Sequence, residues 1–361
     1  MADKFKLMNG AEAIRDGLIF AKKKIRNILL ISEGIADPSS FYGTTKDLDN
    51  WYDKKQIIEM PLSESALTGI AIGAAINGMR PILNFHRVEF ALLAMEQIFN
   101  NAAKAGYLSN GKHKVPFVLR MVVGRGWGQG PAHSQSLENI FASIPGLKVV
   151  MPTFPSDTKG LLLGAIVDNN PVLIIEHRWC HYLIEKVKKG YYIEKLNSGP
   201  KKLSSGVNYT IVATSYGAVE ALQAVKILKK YGILIELFDL RILRPLKLNK
   251  VFQSVKKTGR LITIDTGFKF LGMGSEICSQ VTEICFKYLK RPPYRMGFPD
   301  HPNPSSRGYL KNVFPNTTEI CMKIIKDLSI NKNIEKKILD DIKLLKGKYI
   351  DIPNPSFKGP F

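Results

Sequence analysis

Several features that define large classes of protein are missing from this sequence. It has no run of about 20 apolar residues, which excludes an ordinary membrane-spanning helix. It contains only four cysteines, and their spacing matches no zinc or disulfide framework. The start of the chain lacks the apolar core of a signal peptide. We therefore expect a reduced, cytoplasmic protein with no membrane partner.

The composition is otherwise that of a globular protein with an unusual charge. The 361 residues are 45% hydrophobic and 23% charged, which allows two domains with their own cores. The net charge is +21, and the excess is mostly lysine in short groups such as 22–24 and 188–189. Because these groups have no interleaved aromatic residues, we favour a solvated surface; an acidic partner subunit is the second interpretation and nucleic acid the third.

Short apolar runs alternate with stretches of helical periodicity along most of the chain. This alternation predicts an α/β fold with parallel sheets in two domains. We predict a first domain over 1–185, a polar and turn-rich linker over 186–206, and a second domain over 207–330. The tail, 331–361, combines a charged helix with a proline-rich end that we expect to lie across another surface.

The segment 124–139 has the densest group of glycines. It follows an apolar run, 116–123, that is typical of a buried strand, and it precedes a helix predicted from about Ser136. Four glycines occupy alternate positions: Gly124, Gly126, Gly128 and Gly130. Open α/β sheets bind ligands beyond the carboxyl ends of their strands, so His133 in this segment is a candidate site residue. The alternative is a surface loop with a solvated histidine.

Glu64 begins a second unusual segment, a predicted helix rich in alanine and glycine over 65–77. The helix dipole stabilises a carboxylate at this end, so Glu64 is either a capping residue or a charged group of a site. Small residues along the helix indicate close packing against a neighbour. Phe90 opens the next long helix, predicted over 90–108.

These segments together resemble the beta subunits of the thiamine-diphosphate-dependent 2-oxo acid dehydrogenases, the pyruvate, branched-chain and acetoin dehydrogenase group. The resemblance covers about residues 10–328 in order. It implies a pyrimidine-binding domain followed by a transketolase C-terminal domain. The segments that carry it are 57–78, 90–108, 132–136, 145–150, 157–161, 241–246 and 272–277.

The resemblance assigns a role to each matching residue. It implies that Glu64 hydrogen-bonds the aminopyrimidine ring of thiamine diphosphate, with Leu62 and Phe90 against the same ring. It implies that His133 transfers a proton or orients the substrate, which suits a side chain that titrates near neutral pH. In some family members a potassium ion is held, largely by backbone carbonyls, at positions that correspond here to Phe117, Ala165, Ile166, Asp168 and Asn170. Asp168 has a second interpretation as a loop residue at a helix end.

One family motif is missing. Single-chain members bind the magnesium–diphosphate end of the cofactor with a Gly-Asp-Gly motif, and none occurs in this sequence. The resemblance therefore implies an alpha subunit that carries this motif, a beta–beta dimer within an α₂β₂ heterotetramer, and the option of a lipoyl acyltransferase as a further partner. The implied reaction is decarboxylation of a 2-oxo acid and transfer of the acyl unit. The alternatives are a two-subunit transketolase-like or carboligating enzyme without lipoamide, and a non-catalytic scaffold subunit.

The sequence also departs from the family near the expected cofactor edge. The family usually has a Glu-Phe-Met-Thr-Phe-type stretch before the long helix, whereas this chain has three new ionisable groups there, His86, Arg87 and Glu89, and Arg125 in the glycine-rich segment. Guanidinium groups bind carboxylate or phosphate through paired hydrogen bonds. We therefore predict that Arg87, Arg125 and His86 contact a substrate with an additional anionic group; the alternative is an exchange of surface residues. The segment 177–182, His-Arg-Trp-Cys-His-Tyr, is also unusual for the family.

Overall fold

The chain forms two compact units, and neither is continuous in the sequence. A computed structural model describes residues 4–35, 40–125, 128–310 and 313–345. The N-terminal unit comprises Met1–Gly124, Ile140–Ser198 and Ile242–Leu246. The C-terminal unit comprises Arg125–Asn139, Gly199–Arg241 and Lys247–Phe361. The glycine-rich segment thus belongs to the C-terminal unit, although it lies within the predicted first domain.

Regular structure covers most of the described residues. The strands are β1 Phe5–Asn9, β2 Ile28–Ser32, β3 Ile57–Glu59, β4 Arg80–Phe85, β5 Val118–Val123, β6 Lys148–Val150, β7 Val172–His177, β8 Ile184–Lys188, β9 Lys201–Ser204, β10 Tyr209–Ala213, β11 Ile235–Asp239, β12 Ile242–Arg244, β13 Leu261–Phe268 and β14 Tyr294–Phe298. The helices are α1 Gly10–Lys24, α2 Glu64–Ile76, α3 Ala103–Leu108, α4 Gly130–His133, α5 Glu138–Ala142, α6 Pro155–Val167, α7 Tyr216–Lys230, α8 Asn249–Thr258, α9 Met273–Cys285, α10 Thr317–Asp327 and α11 Lys332–Leu345.

The N-terminal unit is built on a seven-stranded sheet in the order β12-β6-β7-β5-β4-β2-β3. All neighbouring strands run parallel except β12, which pairs antiparallel with β6. Strands β2, β5 and β7 are buried along their whole length, as expected of central strands in a parallel sheet. The parallel α/β fold predicted from the sequence is confirmed. A separate antiparallel pair joins β1 to β8.

Helix α1 illustrates how local sequence sets an element of this unit. The Asn9 side chain accepts a hydrogen bond from the Glu12 backbone N–H, and the Glu12 carboxylate accepts one from the Asn9 backbone N–H. This capping box satisfies donors that would otherwise lack partners at the helix start. Three lysines in the last turn, 22–24, complement the negative end of the helix dipole. The apolar face of α1 packs with α6 in the core of the unit.

The C-terminal unit contains a five-stranded sheet in the order β14-β13-β10-β11-β9. Its strands are parallel except β9, which pairs antiparallel with β11. The core lies between this sheet and helices α7 and α10, and α11 adds Ile338 and Ile342 to it. The charged helix predicted in the tail therefore packs on the core through its own apolar side chains. The proline-rich end predicted to lie across another surface falls outside the described residues.

Two predicted segments differ in detail from the structure. The predicted linker, 186–206, contains most of β8 and all of β9. Both are lysine-rich strands at the edge of a sheet. The long helix predicted over 90–108 is a 3₁₀ segment, Val88–Ala94, a π-helical segment, Gln97–Ala102, and then α3. Within the described part of the chain, no helix is both long enough and apolar enough to cross a membrane.

Candidate active site

Glu64 is the first residue of α2 and is 8% exposed. Glu33, which directly follows β2, is also buried, and the two carboxyl groups interact electrostatically. The pKa of Glu33 is raised, first because burial removes the carboxyl group from water and then because Glu64 and Glu59 add negative charge, although the Ser63 backbone N–H opposes the rise. Burial and like-charge repulsion of this kind favour the protonated form of Glu33.

Glu59 fixes the backbone beside this acidic pair. Its carboxylate accepts hydrogen bonds from the backbone N–H groups of Gly34 and Ile35, with N–O distances of 2.6 and 2.7 Å. These bonds hold the turn after β2 against the end of β3. Glu33 is therefore held at the carboxyl edge of the sheet, where the start of α2 also lies.

Leu62 and Phe90, the other predicted cofactor residues, lie in the same unit as Glu64. Leu62 precedes α2 and its side chain is 79% exposed. Phe90 lies in the 3₁₀ segment that follows β4 and is half-buried. An apolar residue left open to this degree is available to a ligand or a partner subunit.

His86 and Arg87 connect β4 to that 3₁₀ segment, and the structure gives them different surroundings. The His86 ring lies against Phe41 and Tyr42, with ring centroids 5.1 and 5.8 Å away. Arg87 is 6% exposed and lies close enough to Arg178 for their charges to repel. Arg178, which is 2% exposed, was not among the predicted site residues.

A fully buried ion pair lies deeper in the same sheet. The Arg120 guanidinium donates to both carboxylate oxygens of Glu176, with N–O distances of 2.7 and 2.9 Å, and it also donates to Asn84 and Thr44. Nε2 of His181 donates to the same carboxylate at 2.9 Å. Burial disfavours the charged form of Glu176, but Arg120 and His181 outweigh it and lower the pKa of Glu176 to about 2.

Sequence reasoning missed both Arg178 and this network. The available signal was a polar residue inside each of three apolar strands: Asn84 in β4, Arg120 in β5 and Glu176 in β7. Pairing in the sheet places Asn84 opposite Arg120. A charged side chain inside a buried strand requires a partner, so these residues predict one another once the strand order is known.

His133 belongs to the C-terminal unit, at the end of the four-residue helix α4, and its side chain is exposed. Contacts within that unit hold the segment around it. The added Cβ of any other residue at Gly130, whose φ is +68°, would come within 2.4 Å of the Ser305 Oγ. The positive φ therefore favours glycine at this position, and any other residue would also displace the Ser305 hydroxyl. Gly126 and Trp127 of the predicted loop lie outside the described residues.

Glu138 anchors the far end of the same segment. Its carboxylate accepts from the Ser136 Oγ at 2.5 Å and from the Gly267 backbone N–H at 3.1 Å. It interacts with Asp265, whose carboxylate accepts from the Gly274 backbone N–H. Burial, together with the charge of Glu138, raises the pKa of Asp265 to about 8, although Gly274 and Arg295 oppose the rise.

Arg125 also belongs to the C-terminal unit, at the start of the glycine-rich segment. Its guanidinium lies over the Phe314 ring, 3.5 Å from the ring centroid. Burial lowers the pKa of Arg125 to about 10, and Glu220 and Tyr216 oppose that shift. Stacking of this kind stabilises the segment. Arg87 and Arg125, predicted as a pair, thus lie in different units.

The residues predicted to hold potassium lie around the turn between α6 and β7. Nη1 of Arg80 donates to the carbonyls of Ile166 and Asp168, at 2.9 Å in each case, and Nη2 donates to the Asn169 side chain. The Asp168 carboxylate pairs with Lys148 and accepts from Asn170. The positive side chains of Arg80 and Lys148 therefore already interact with this turn. Their charges do not favour the binding of a further monovalent cation.

The other carbonyls of that set also accept hydrogen bonds from the backbone. The Phe117 carbonyl accepts from the Val172 N–H, and the Ala165 carbonyl accepts from the Asp168 N–H. No group of three or more histidine, cysteine, aspartate or glutamate side chains in the described ranges is arranged to hold a metal ion.

The outer face of α2 is open and apolar. Gly69 and Gly73 lie on it, and a Cβ added at Gly73 would meet no heavy atom within 4 Å among the described residues. Ile70 and Ile76 on the same helix are 50% and 46% exposed. A Cβ added at Gly69 would meet only the Gln97 side chain, at 4.0 Å, so among the described residues this face of α2 is little covered.

Comparison with known proteins places the two units in one family. The transketolase pyrimidine-binding domain matches residues 7–180, and the transketolase C-terminal domain matches residues 200–320. The chain is 35% identical over 326 residues to the pyruvate dehydrogenase E1 component subunit beta, mitochondrial, of Bos taurus, covering 88% of this chain and 90% of that protein. It is 33% identical over 319 residues to the corresponding subunit of Rhizobium meliloti (strain 1021), covering 87% and 68%.

Solved structures support the fold. A split-gene transketolase, described as an inactive beta4 tetramer, superposes with a TM-score of 0.72 at 20% identity over 90% of this chain and 99% of its own. A transketolase from Leishmania mexicana gives 0.65 at 16% identity, covering 89% of this chain and 45% of its own. With curated relatives above 30% identity over most of both chains, this protein belongs to the beta subunits of the thiamine-diphosphate-dependent 2-oxo acid dehydrogenases.

Proposed function

We propose that this chain supplies the pyrimidine half of a thiamine diphosphate site and acts with an alpha subunit to decarboxylate a 2-oxo acid. The observation that carries the proposal is the buried pair Glu33 and Glu64 at the start of a helix whose outer face is open. A buried carboxyl group at the carboxyl edge of a parallel sheet is suited to proton transfer. The family to which the chain belongs supports the choice of cofactor.

The residues around Glu64 fit the aminopyrimidine ring. Glu64 offers a carboxyl group to a ring nitrogen, and the half-buried Phe90 and exposed Leu62 offer apolar surface to the ring itself. Thiamine diphosphate bound here would supply an acidic thiazolium carbon, the source of the nucleophile that a 2-oxo acid carbonyl requires. Glu64 would exchange a proton with the ring nitrogen, and the buried Glu33 lies close enough to interact with Glu64 electrostatically.

His133 is the proposed proton-transfer or orienting group of the C-terminal unit. Its imidazole is exposed at the end of α4, on a segment fixed by Arg125 at one end and Glu138 at the other. Contacts of this kind position the backbone that carries an acid–base group. In this proposal Arg125 positions the segment and does not contact the substrate.

The proposed partner is an alpha subunit that carries the Gly-Asp-Gly motif, within an α₂β₂ heterotetramer that includes a beta–beta contact. The open face of α2 supports an assembly, because Gly69 and Gly73 leave room for close approach of another chain. Exposed Leu93, Tyr107 and Leu108 extend the apolar surface nearby. A lipoyl acyltransferase is the proposed acyl acceptor. The cytoplasmic location stays a prediction, which cell fractionation would test.

The decisive variant is Glu64→Gln, which keeps the shape of the side chain and removes its proton chemistry. We expect exchange of the thiazolium proton in the assembled alpha–beta complex to slow by roughly 10²–10⁴-fold. Glu283→Gln, an exposed position in the C-terminal unit, serves as the matched control. If Glu64→Gln exchanges the thiazolium proton at the wild-type rate, Glu64 is only a helix-capping residue.

A second measurement separates the candidate reactions. The chain alone should bind thiamine diphosphate weakly in calorimetry, and binding should tighten when the alpha subunit is added. Acyl transfer to lipoamide supports the dehydrogenase assignment. Formation of a carbon–carbon bond without lipoamide would indicate a carboligating enzyme, and cofactor binding without turnover of any 2-oxo acid would indicate a scaffold.

A further inference from the structure

We propose that the carboxyl pair Glu138 and Asp265 fixes the histidine segment, Arg125–Asn139, while Asp265 is protonated and releases the end of this segment when Asp265 ionises. Glu138 is then a positioning residue, because it acts on His133 through the backbone between them. The attachment itself follows from contacts within the C-terminal unit. Its effect on turnover rests on the proposed function, which assigns His133 a role in proton transfer.

Two hydrogen bonds join the end of the histidine segment to the stretch that contains Asp265. The Glu138 carboxylate accepts from the Gly267 backbone N–H at 3.1 Å, and Gly267 lies two residues after Asp265 in β13. The Asn139 side chain donates to the Leu271 carbonyl at 3.1 Å, in the loop that follows β13. The segment is therefore attached to β13 and to this loop through one carboxylate and one amide.

Both members of the carboxyl pair are enclosed by protein, and each is 2% exposed. The Asp265 carboxylate accepts from the Gly274 backbone N–H, at 3.0 and 2.9 Å from its two oxygens. Among the described residues, neither carboxyl group forms an ion pair with a basic side chain. A buried carboxylate without such a partner is costly, and a second negative charge beside it adds to that cost.

Three glycines bring backbone close to the carboxyl pair. A Cβ added at Gly267 would lie 2.9 Å from Oε1 of Glu138, and one added at Gly272 or Gly274 would lie 2.5 or 2.8 Å from Oδ2 of Asp265. The backbone therefore leaves little space for water on these sides of the two carboxyl groups. Because a second negative charge is poorly hydrated there, displacement of Glu138 is the direct way to relieve the repulsion.

The groups that face the carboxyl pair set the pH at which it gains its second charge. Burial raises the pKa of Asp265 to about 8 with help from the charge of Glu138, although the Gly274 N–H and Arg295 on β14 oppose the rise. Burial also raises the pKa of Glu138, although its hydrogen bonds oppose that rise. Cys278 on α9 has a thiol pKa raised by burial to about 11, so it stays neutral through this range. The pair therefore carries at most one negative charge below about pH 8 and two above it.

The first test measures backbone amide exchange of residues 133–139 in the full-length chain by mass spectrometry. Rates at pH 6.5 and pH 9 are corrected for the intrinsic pH dependence of exchange. We expect the protection of this stretch in the wild type to fall about tenfold between the two pH values. Asp265→Asn keeps an acceptor for the Gly274 N–H and cannot ionise, so its protection should change little. Glu138→Gln also leaves at most one charge in the pair and should behave in the same way.

Two further variants separate the charge of the pair from its contacts. Glu138→Ala removes the acceptor for the Gly267 N–H, so protection of residues 133–139 should be low at both pH values. Asp300→Asn removes an exposed carboxylate of the same unit and should keep the wild-type loss of protection. Wild-type protection that does not fall at pH 9, or a fall of the same size in Asp265→Asn, would overturn the inference.

The pH profile of the assembled alpha–beta complex connects this attachment to turnover. Asp265→Asn should retain about 3–10-fold more of its pH 7 kcat at pH 9 than the wild type does, with little change in KM, as a positioning role predicts. If the complex turns over no 2-oxo acid but amide exchange depends on Asp265 and pH, the proposed function fails and the attachment stands. If turnover occurs while exchange and the alkaline limb are the same in Asp265→Asn and wild type, the attachment fails and the proposed function stands.

Discussion

The two units each bury a carboxyl group, and they treat it in opposite ways. In the N-terminal unit Glu176 faces Arg120 and His181, and its pKa falls to about 2. In the C-terminal unit Asp265 faces Glu138 and a backbone N–H, and its pKa rises to about 8. Both residues are nearly inaccessible to water. Burial raises the pKa of both carboxyl groups, and only at Glu176 do cationic partners outweigh it, so at equal burial the partners decide which group is ionised.

Removing the partner in the N-terminal unit should have the largest effect. Arg120→Met leaves the Glu176 carboxylate buried without its ion pair, which costs roughly 3–5 kcal/mol of the free energy of unfolding. Chemical denaturation monitored by circular dichroism would measure this loss. The double variant Arg120→Met with Glu176→Leu removes both charges and should recover much of the stability. A double variant no more stable than Arg120→Met would contradict the assignment.

The opposite pKa shifts predict opposite responses to pH. Between about pH 4 and 8, Asp265 keeps its proton in the folded state but loses it in the unfolded chain. Its contribution to stability is therefore fully present below pH 4 and is lost as the pH rises to 8. Glu176 does the reverse: its contribution is present above its ordinary pKa and is lost as the pH falls toward 2.

The variant Asp265→Asn isolates the first of these responses. One proton changes stability by at most about 1.4 kcal/mol per pH unit. We expect the wild type to lose stability from pH 5 to pH 8 more steeply than Asp265→Asn, measured by denaturant midpoints in matched buffers. Asp300→Asn is an exposed control in the same unit. Parallel slopes for Asp265→Asn and wild type would show that Asp265 is ionised across this range.

The smallest effect concerns potassium at the turn between α6 and β7. Because Arg80 and Lys148 already supply positive charge there, replacing potassium by sodium at constant ionic strength should shift the unfolding temperature by less than about 2 °C. Arg80→Met should make the turn more dependent on the cation. A clear stabilisation of the wild type by potassium over sodium would show that the ion binds beside these two side chains.

The fold and the residues of the family motifs could be predicted from the sequence, because local patterns carry them. Apolar strand runs and the small residues of α2 predict the parallel sheet and the open helix face. Glu64 was placed correctly at the start of α2. Its cofactor role and that of His133 stay predictions, since the described residues include no ligand contact.

Other features depend on which distant segments meet, and a single sequence does not state this. The pairing of Arg120 with Glu176 requires the strand order β7-β5-β4. The stacking of Arg125 on Phe314 joins residues 189 positions apart, so a loop arginine could not be distinguished from a substrate ligand. Arg178 follows a strand directly, and its placement beside Arg87 depends on the same order of strands.

The exchange of segments between the units has a consequence for synthesis on the ribosome. Strand β12, residues Ile242–Arg244, completes one edge of the N-terminal sheet although it is made after β9, β10 and β11. Residues 125–139, in turn, have no Phe314 or Gly267 to pack on until much later. The nascent chain must therefore carry an unfinished sheet until residue 244 is made, and a histidine segment without its Phe314 contact until residue 314 is made. A gene cut between the two matched domains would separate each unit from a piece that it needs.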